Sequence, residues 1–197
     1  MSVKYVDLKM GRVEFLRATV EDAGELLKVY APYVEKTAVS FEYEVPSLEE
    51  FSSRISNISS KYPYIKAVCN GEIVGYAYAT AFKGRKAYDH SVESTIYLKE
   101  DKRGEGLGVA LYEVLTEALK GMGIINMNAC IAYAKENDPH LTNASHLFHK
   151  KLGFELVGTF HNSGFKFDRW YDMIWMEKML AKHTDKPEPV KFGQWTI

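Results

Sequence analysis

The chain has 197 residues, 46% of them hydrophobic, enough for a single domain with a core of its own. Its 25 Lys and Arg against 26 Asp and Glu leave a formal net charge of −1, which excludes the basic footprint of a nucleic-acid binder. No apolar run reaches the ~18 residues that span a bilayer, and the polar start from Met1 to Gly11 lacks the apolar centre of a secretion signal, so a cytoplasmic protein without membrane partners is expected.

Val13 to Ala18 reads as a first strand. Thr19-Val-Glu-Asp22 then opens a helix, with a capping residue ahead of acids in the first turn, and Ala23, Leu26, Leu27, Tyr30 and Val34 form its apolar face. Thr37 to Glu44 is too aromatic for a solvated linker. Ser47-Leu-Glu-Glu50 is a capping box for a second helix with Leu48, Phe51, Ile55 and Ile58 as its stripe. Tyr64 to Val68 and Glu72 to Ala81 are strands joined by Asn70-Gly71, a strong hairpin signal. Phe82 to Asp89 is a basic, aromatic loop leading into a central strand from His90 to Leu98. Beyond a charged turn and a run of glycines, Leu107, Leu111, Val114, Leu115 and Ala118 share one side of a helix, which Gly121 or Gly123 ends. Ile124 to Ile131 is a strand. Asn143 to Lys151 is a short helix, with Ala144, Leu147, Phe148 and Leu152 facing inward. Glu155 to Phe160 and Trp170 to Met176 are the last strands, connected across Asn162-Ser163-Gly164. This is a mixed α+β order, βααβββαβαββ, with about seven strands, mostly antiparallel, about four helices and one β–α–β crossover. Residues 1–180 form one domain, and the tail 181–197 either hangs loose or docks through Phe192 and Trp195. The cysteines, Cys69 and Cys130, have no Cys-x-x-Cys spacing; they read as buried thiols in a reducing compartment, and no metal site is expected.

The run Lys102-Arg103-Gly104-Glu105-Gly106-Leu107-Gly108 carries the first chemical signal. A strand, a glycine-rich turn and a helix together point free backbone N–H groups and the positive helix end at a phosphate. Gly106 and Gly108 lack a Cβ, which lets an anion come close and permits positive φ. The run is not the dinucleotide fingerprint, because position 111 is leucine, and no Gly-Lys-Ser/Thr follows to make a P-loop. Taken alone, glycines at a strand–helix junction are more often simple turn residues.

Arg103-x-x-Gly106-x-Gly108 resembles the pyrophosphate-binding motif of the GNAT superfamily of N-acetyltransferases, which use acetyl-coenzyme A. Asn143-Ala-Ser145-His-Leu-Phe-His149-Lys-Lys-Leu-Gly153-Phe154 is similar to a second segment of that family, on the coenzyme side of its fold. Thr37 to Glu42, Gly75 to Tyr78, Arg85 to Glu93 and Lys166 to Asp172 resemble the phosphinothricin and methionine sulfoximine acetyltransferases within it. The loop from Ala134 to Leu141 looks longer than usual there.

The resemblance implies a homodimer that acetylates the amino group of a small amino-acid-like molecule. It places the pyrophosphate against the backbone of Arg103, Gly104, Glu105, Gly106, Leu107, Gly108 and Val109, with the Glu105 side chain turned to solvent. The pantetheine arm would pair with Ile96, Tyr97 and Leu98, where the central strand parts from the next. Asn143 and Ser145 fall on the coenzyme side, with Asn137 an alternative to Asn143. Glu93 is the implied general base. His149 falls where the family often carries the tyrosine that protonates the coenzyme thiolate. Lys86, Ala87 and Tyr88 match the substrate-contact stretch, with Arg85 beside them to pair with a carboxylate or phosphinate and Phe41, Tyr78 and Tyr88 as apolar walls; the other reading of Lys83, Arg85 and Lys86 is a solvated loop. Two other readings stand beside this one: a protein N-terminus or lysine as acceptor, and a non-catalytic acyl-CoA-binding sensor that would need neither Glu93 nor His149.

Overall fold

Asn70 and Gly71 both take positive φ, 51° and 79°, as a two-residue hairpin requires. They join β3 (Tyr64–Cys69) to β4 (Glu72–Ala81), as the sequence predicts. The structure is a computed structural model that describes residues 4–197. Ahead of β3 lie β1 (Lys4–Leu8), β2 (Gly11–Arg17), α1 (Ala23–Lys36) and α2 (Leu48–Ser59). After β4 come β5 (Ser91–Leu98), α3 (Leu107–Met122), β6 (Asn126–Tyr133), α4 (Ala144–Lys151), β7 (Glu155–Lys166) and β8 (Arg169–Met179). All eight strands form one sheet in the order β1-β2-β3-β4-β5-β6-β8-β7. Neighbours are antiparallel except β5 and β6, which α3 connects in parallel.

Strand alternation sorts the core into two layers. Val13, Phe15, Ala77, Ala79 and Val92 pack under Leu111, Leu115 and Leu119 of α3. Tyr64 and Tyr76 turn the other way, against Leu26, Tyr30 and Val34 of α1 and Phe51 and Ile55 of α2. Residues 181–197 form no helix or strand but lie against the body. Trp195 is buried in the α3 layer beneath the Arg17 guanidinium, 3.7 Å from its ring centre, and Lys191 N–H donates to Met122 O at 2.9 Å.

Several expectations change. The polar start is not featureless: Lys4–Leu8 pairs with β2 across the turn before Gly11, which makes eight strands in place of seven. Such an edge strand needs apolar residues on one face only, so Val6 and Leu8, with Tyr5 turned to solvent, give little signal. Leu48 and Leu147, expected to face inward, are 55% and 63% exposed. Ser47 Oγ accepts from Glu50 N–H at 3.1 Å, but the Glu50 carboxylate pairs with Arg54, so only half of the capping box forms. The last hairpin turns at Phe167 and Asp168, with φ 52° and 57°. Asn162 to Gly164 lies inside β7, at an irregularity in its pairing with β8.

Candidate active site

β5 and β6 are in register for only three residues, Ser91 to Glu93 against Asn126 to Asn128. Side chains lock the last rung: Asn128 Nδ2 donates to Val92 O at 3.1 Å, and Ser94 Oγ donates to Asn128 O at 2.9 Å. Beyond it the strands part around a cavity of about 350 Å³. Its walls are Glu93 to Tyr97 of β5, Ala129 to Ala132 of β6, Tyr112, Ser145 and His149 from α3 and α4, and Val39 to Phe41 from the loop after α1.

Antiparallel pairing with β4 turns alternate backbone groups of β5 toward the gap. Leu98 is one of these residues, but both of its polar groups are taken: Tyr33 Oη donates to Leu98 O at 2.6 Å and accepts from Leu98 N–H at 3.0 Å. Tyr97 pairs with Tyr76 and turns its backbone toward β4. Of the three residues assigned to the pantetheine arm, Ile96 alone presents a free edge; Ser94 faces the same way, but its N–H belongs to the last rung with Asn128.

At the far end of β5 the glycine run does what its composition suggests. Gly104 and Gly106 sit at φ 80° and 91°, and Gly106 is the N-cap of α3. The first N–H groups of that helix, from Leu107, Gly108 and Val109, have no partner within it and crown its positive end. Gly108 serves a different purpose from the one expected. It is helical and buried, and a Cβ there would stand 3.1 Å from the Phe148 ring, so its bareness lets α4 pack on α3. Arg103 is exposed and lies over Tyr33, 4.9 Å from the ring centre, while Glu105 is half-buried.

Glu93 stands at the fork itself. Burial raises its carboxyl above the ordinary carboxylate value, and Lys83 opposes that shift. Cys130 shares the cavity wall, and burial, with the Glu93 charge beside it, pushes its thiol up to about 12. By surface area the residue is exposed, where the sequence suggests a buried thiol, so the shift reflects the protein packed around the sulfur and the nearby carboxylate and not a closed core position.

His149 is 3% exposed and bonded at both nitrogens. Nδ1 lies 2.7 Å from Ser145 O, a pure acceptor, so Nδ1 carries the proton and Nε2 accepts from Tyr112 Oη at 2.8 Å. Burial lowers the imidazole to about 4. At neutral pH it is an acceptor and an orienter, not a proton donor. Tyr112 lines the cavity beside it with its one proton committed to His149, and its other neighbour, Ser94 Oγ, is 3.3 Å away. Tyr112 has no local motif, because its partners are 18 and 37 residues away in sequence; only the packed fold reveals it.

The substrate assignments divide. Phe41 lines the cavity and rests against Gly164 and Tyr171. Tyr78 instead stacks on Tyr64 in a smaller, tyrosine-walled cavity of about 80 Å³ beneath α1 and α2, and Tyr97 borders both cavities. Arg85, Lys86, Ala87 and Tyr88 form an exposed turn outside the main cavity, with Tyr88 packed on Phe82. Asn143 is committed to closing the 134–143 loop: it accepts from Ala134 N–H at 3.1 Å and donates to Ala134 O at 2.8 Å. Asn137 is exposed, so Leu141, Ser145 and His149 are what reach the cavity from this part of the chain.

Residues 16–175 match the family model described as an acetyltransferase (GNAT) domain. The chain is 31% identical over 179 residues to a phosphinothricin N-acetyltransferase of Streptomyces viridochromogenes, covering 91% of this chain and 93% of that protein. It is 30% identical to an L-methionine sulfoximine/L-methionine sulfone acetyltransferase of Pseudomonas paraeruginosa, covering 87% of this chain and all of that one. The solved phosphinothricin acetyltransferase from Sinorhizobium meliloti in complex with acetyl-CoA superposes with a TM-score of 0.80 at 31% identity, over 96% of this chain and 100% of that one.

Proposed function

The chain belongs to the GNAT family of acetyltransferases, and from that premise we propose that it acetylates the amino group of a small amino-acid-like molecule, with Glu93 as the general base. It is an N-acetyltransferase of the phosphinothricin and methionine sulfoximine type at about 30% identity. The observation that carries the proposal is the position of Glu93, a half-buried carboxylate at the point where two parallel strands separate into a cavity.

The residues present fit acetyl-CoA. Two positive-φ glycines ahead of α3 leave its N–H groups open to a pyrophosphate. The gap between β5 and β6 leaves the backbone of Ile96 without a strand partner on that side, open to a strand-like arm. When bound, acetyl-CoA supplies a thioester. The N–H of Ile96 would be the donor available to a negative charge developing on the thioester oxygen. Glu93 takes a proton from the entering ammonium, directly or through water, and thereby frees the nitrogen lone pair. Its raised proton affinity suits that task, because a carboxylate of ordinary pKa is a weaker base for an amine. As the sulfur departs, Tyr112 would turn its one hydroxyl proton from His149 Nε2 toward it, and the second proton of the acylated nitrogen would replace the one given up; His149, held neutral by burial, keeps the hydroxyl at the cavity wall until then.

The exposed Arg85 to Tyr88 turn belongs to the acceptor side of the proposal, where its cations would meet a carboxylate or phosphinate. A homodimer is part of the same reading. Leu156, Val157, Phe160 and Phe165 of the edge strand β7 and Trp170 of β8 are all exposed, which leaves apolar surface along this edge of the sheet for a second copy.

The test is release of free thiol from acetyl-CoA with phosphinothricin, L-methionine sulfoximine, other amino acids, polyamines and peptides. Turnover with small amino acids or their analogues is the expected result. Turnover with peptides alone would replace the small acceptor by a protein, and no turnover with any amine would favour an acyl-CoA-binding sensor.

A further inference from the structure

We propose that Lys166, at the end of β7, is a positioning residue for the amine: its buried ammonium holds the loop that places Phe41 over the cavity. This assignment rests on the reading that the acceptor enters past Phe41. Lys166 is 3% exposed. Its Nζ donates to three carbonyls, Val34 O at 2.6 Å, Thr37 O at 2.9 Å and Ser40 O at 2.8 Å. An ammonium has three protons, and all three are used. Among the described residues no carboxylate pairs with it, so three carbonyl dipoles stand in for a counter-ion.

Those three carbonyls are not scattered. Val34 belongs to the last turn of α1, whose carbonyls lack helical partners, and Thr37 and Ser40 lie in the loop that follows. One side chain therefore caps a helix and pins the next six residues. Within this segment, Val39, Ser40 and Phe41 form cavity wall. Two residues back along β7, on the same face, a Cβ at Gly164 would overlap the Phe41 ring. The strand thus offers a bare seat for the ring and a cation for the backbone behind it. The run from Lys166 to Asp172, which the sequence marks without a role, acquires one here. Asp172 continues the support by accepting from Asn162 N–H at 2.9 Å.

A residue needed only for folding would affect both substrates alike, whereas a positioning residue affects the amine. The measurements are hydrogen exchange at residues 38–42 without amine, acetyl-CoA affinity, and steady-state kinetics with L-methionine sulfoximine, on Lys166→Met. Exchange in the loop should quicken at least tenfold and the amine KM should rise about tenfold, while acetyl-CoA affinity and kcat change less than threefold. Gly164→Ala keeps the cation but displaces the ring, and should give the same split in KM with little change in loop exchange. Unchanged exchange and amine KM in Lys166→Met would overturn the assignment, as would equal losses for both substrates. If Lys166→Met does not fold, an unchanged amine KM in Gly164→Ala would overturn it. The exchange measurement needs no turnover, so loss of the acceptor reading and loss of this one remain distinguishable.

Discussion

Tyr112 Oη lies 2.8 Å from Nε2 of His149, and the proton between them belongs to the tyrosine. The order matters because the tyrosine's one proton is held by a neutral imidazole, which fixes the hydroxyl at the cavity wall and must give the proton up before it can turn to a leaving sulfur. Tyr112→Phe should lower kcat by about tenfold to a hundredfold, the size of one hydrogen bond to a charged group. His149→Gln should cost about as much, and the double variant little more, since both changes remove one device. Additive losses in kcat would separate the two residues.

Glu93 accounts for the acid side of the pH profile. Because burial raises its carboxyl, kcat/KM should climb with pH to a plateau along a limb displaced above the ordinary carboxylate range. Glu93→Gln should lose that limb and about 10²- to 10⁴-fold of kcat, while binding acetyl-CoA as before. Parent-like turnover in Glu93→Gln would remove the carboxylate from the chemistry.

The His149 imidazole also leaves a mark on stability. Its folded pKa of about 4 lies below the ordinary 6.5, so folding favours the neutral ring. That contribution is complete above pH 6.5 and is lost as pH falls toward 4. Between pH 7 and pH 5 the loss is about 2 kcal/mol. Denaturant titrations at the two pH values, compared between parent and His149→Phe, should show the variant losing that much less.

Gly106 and Gly108, two residues apart, should fail differently. Alanine at 106 must hold a left-handed φ, which costs about 1–2 kcal/mol, and the distortion falls on the N–H groups at the start of α3. Acetyl-CoA KM should rise with kcat little changed. Alanine at 108 presses on Phe148 and the α4 turn that carries His149, so kcat should fall instead. Matching kinetic profiles for the two variants would contradict this division.

Motifs whose meaning is local were legible from the sequence. The Asn70-Gly71 hairpin, the α3 stripe and the left-handed glycines before it depend on neighbours a few residues away, and periodicity or turn chemistry reports them. Glu93 was reachable only through resemblance, since a lone glutamate in a strand says nothing by itself. The Tyr112–His149 pair, the closure of Leu98 by Tyr33 and the Lys166 clamp were hidden, because each joins residues far apart in sequence. The turn at Phe167-Asp168 was missed for another reason. Neither residue is a glycine, while Asn162-Ser163-Gly164 has a turn composition and instead forms an irregular stretch of strand.

Strand β5 carries the base near its start and leads into the glycine run at its end. Glu93 and Leu98 are five residues apart, which in an extended chain is about 17 Å. The strand is thus a ruler, and it fixes how long an arm must be to bring a thioester from the helix mouth to the carboxylate. It also sets phase. One residue inserted between Glu93 and Leu98 would lengthen the ruler by about 3.3 Å and turn the carboxylate to the opposite face of the sheet. Both ends would keep their chemistry, yet they could no longer serve the same molecule.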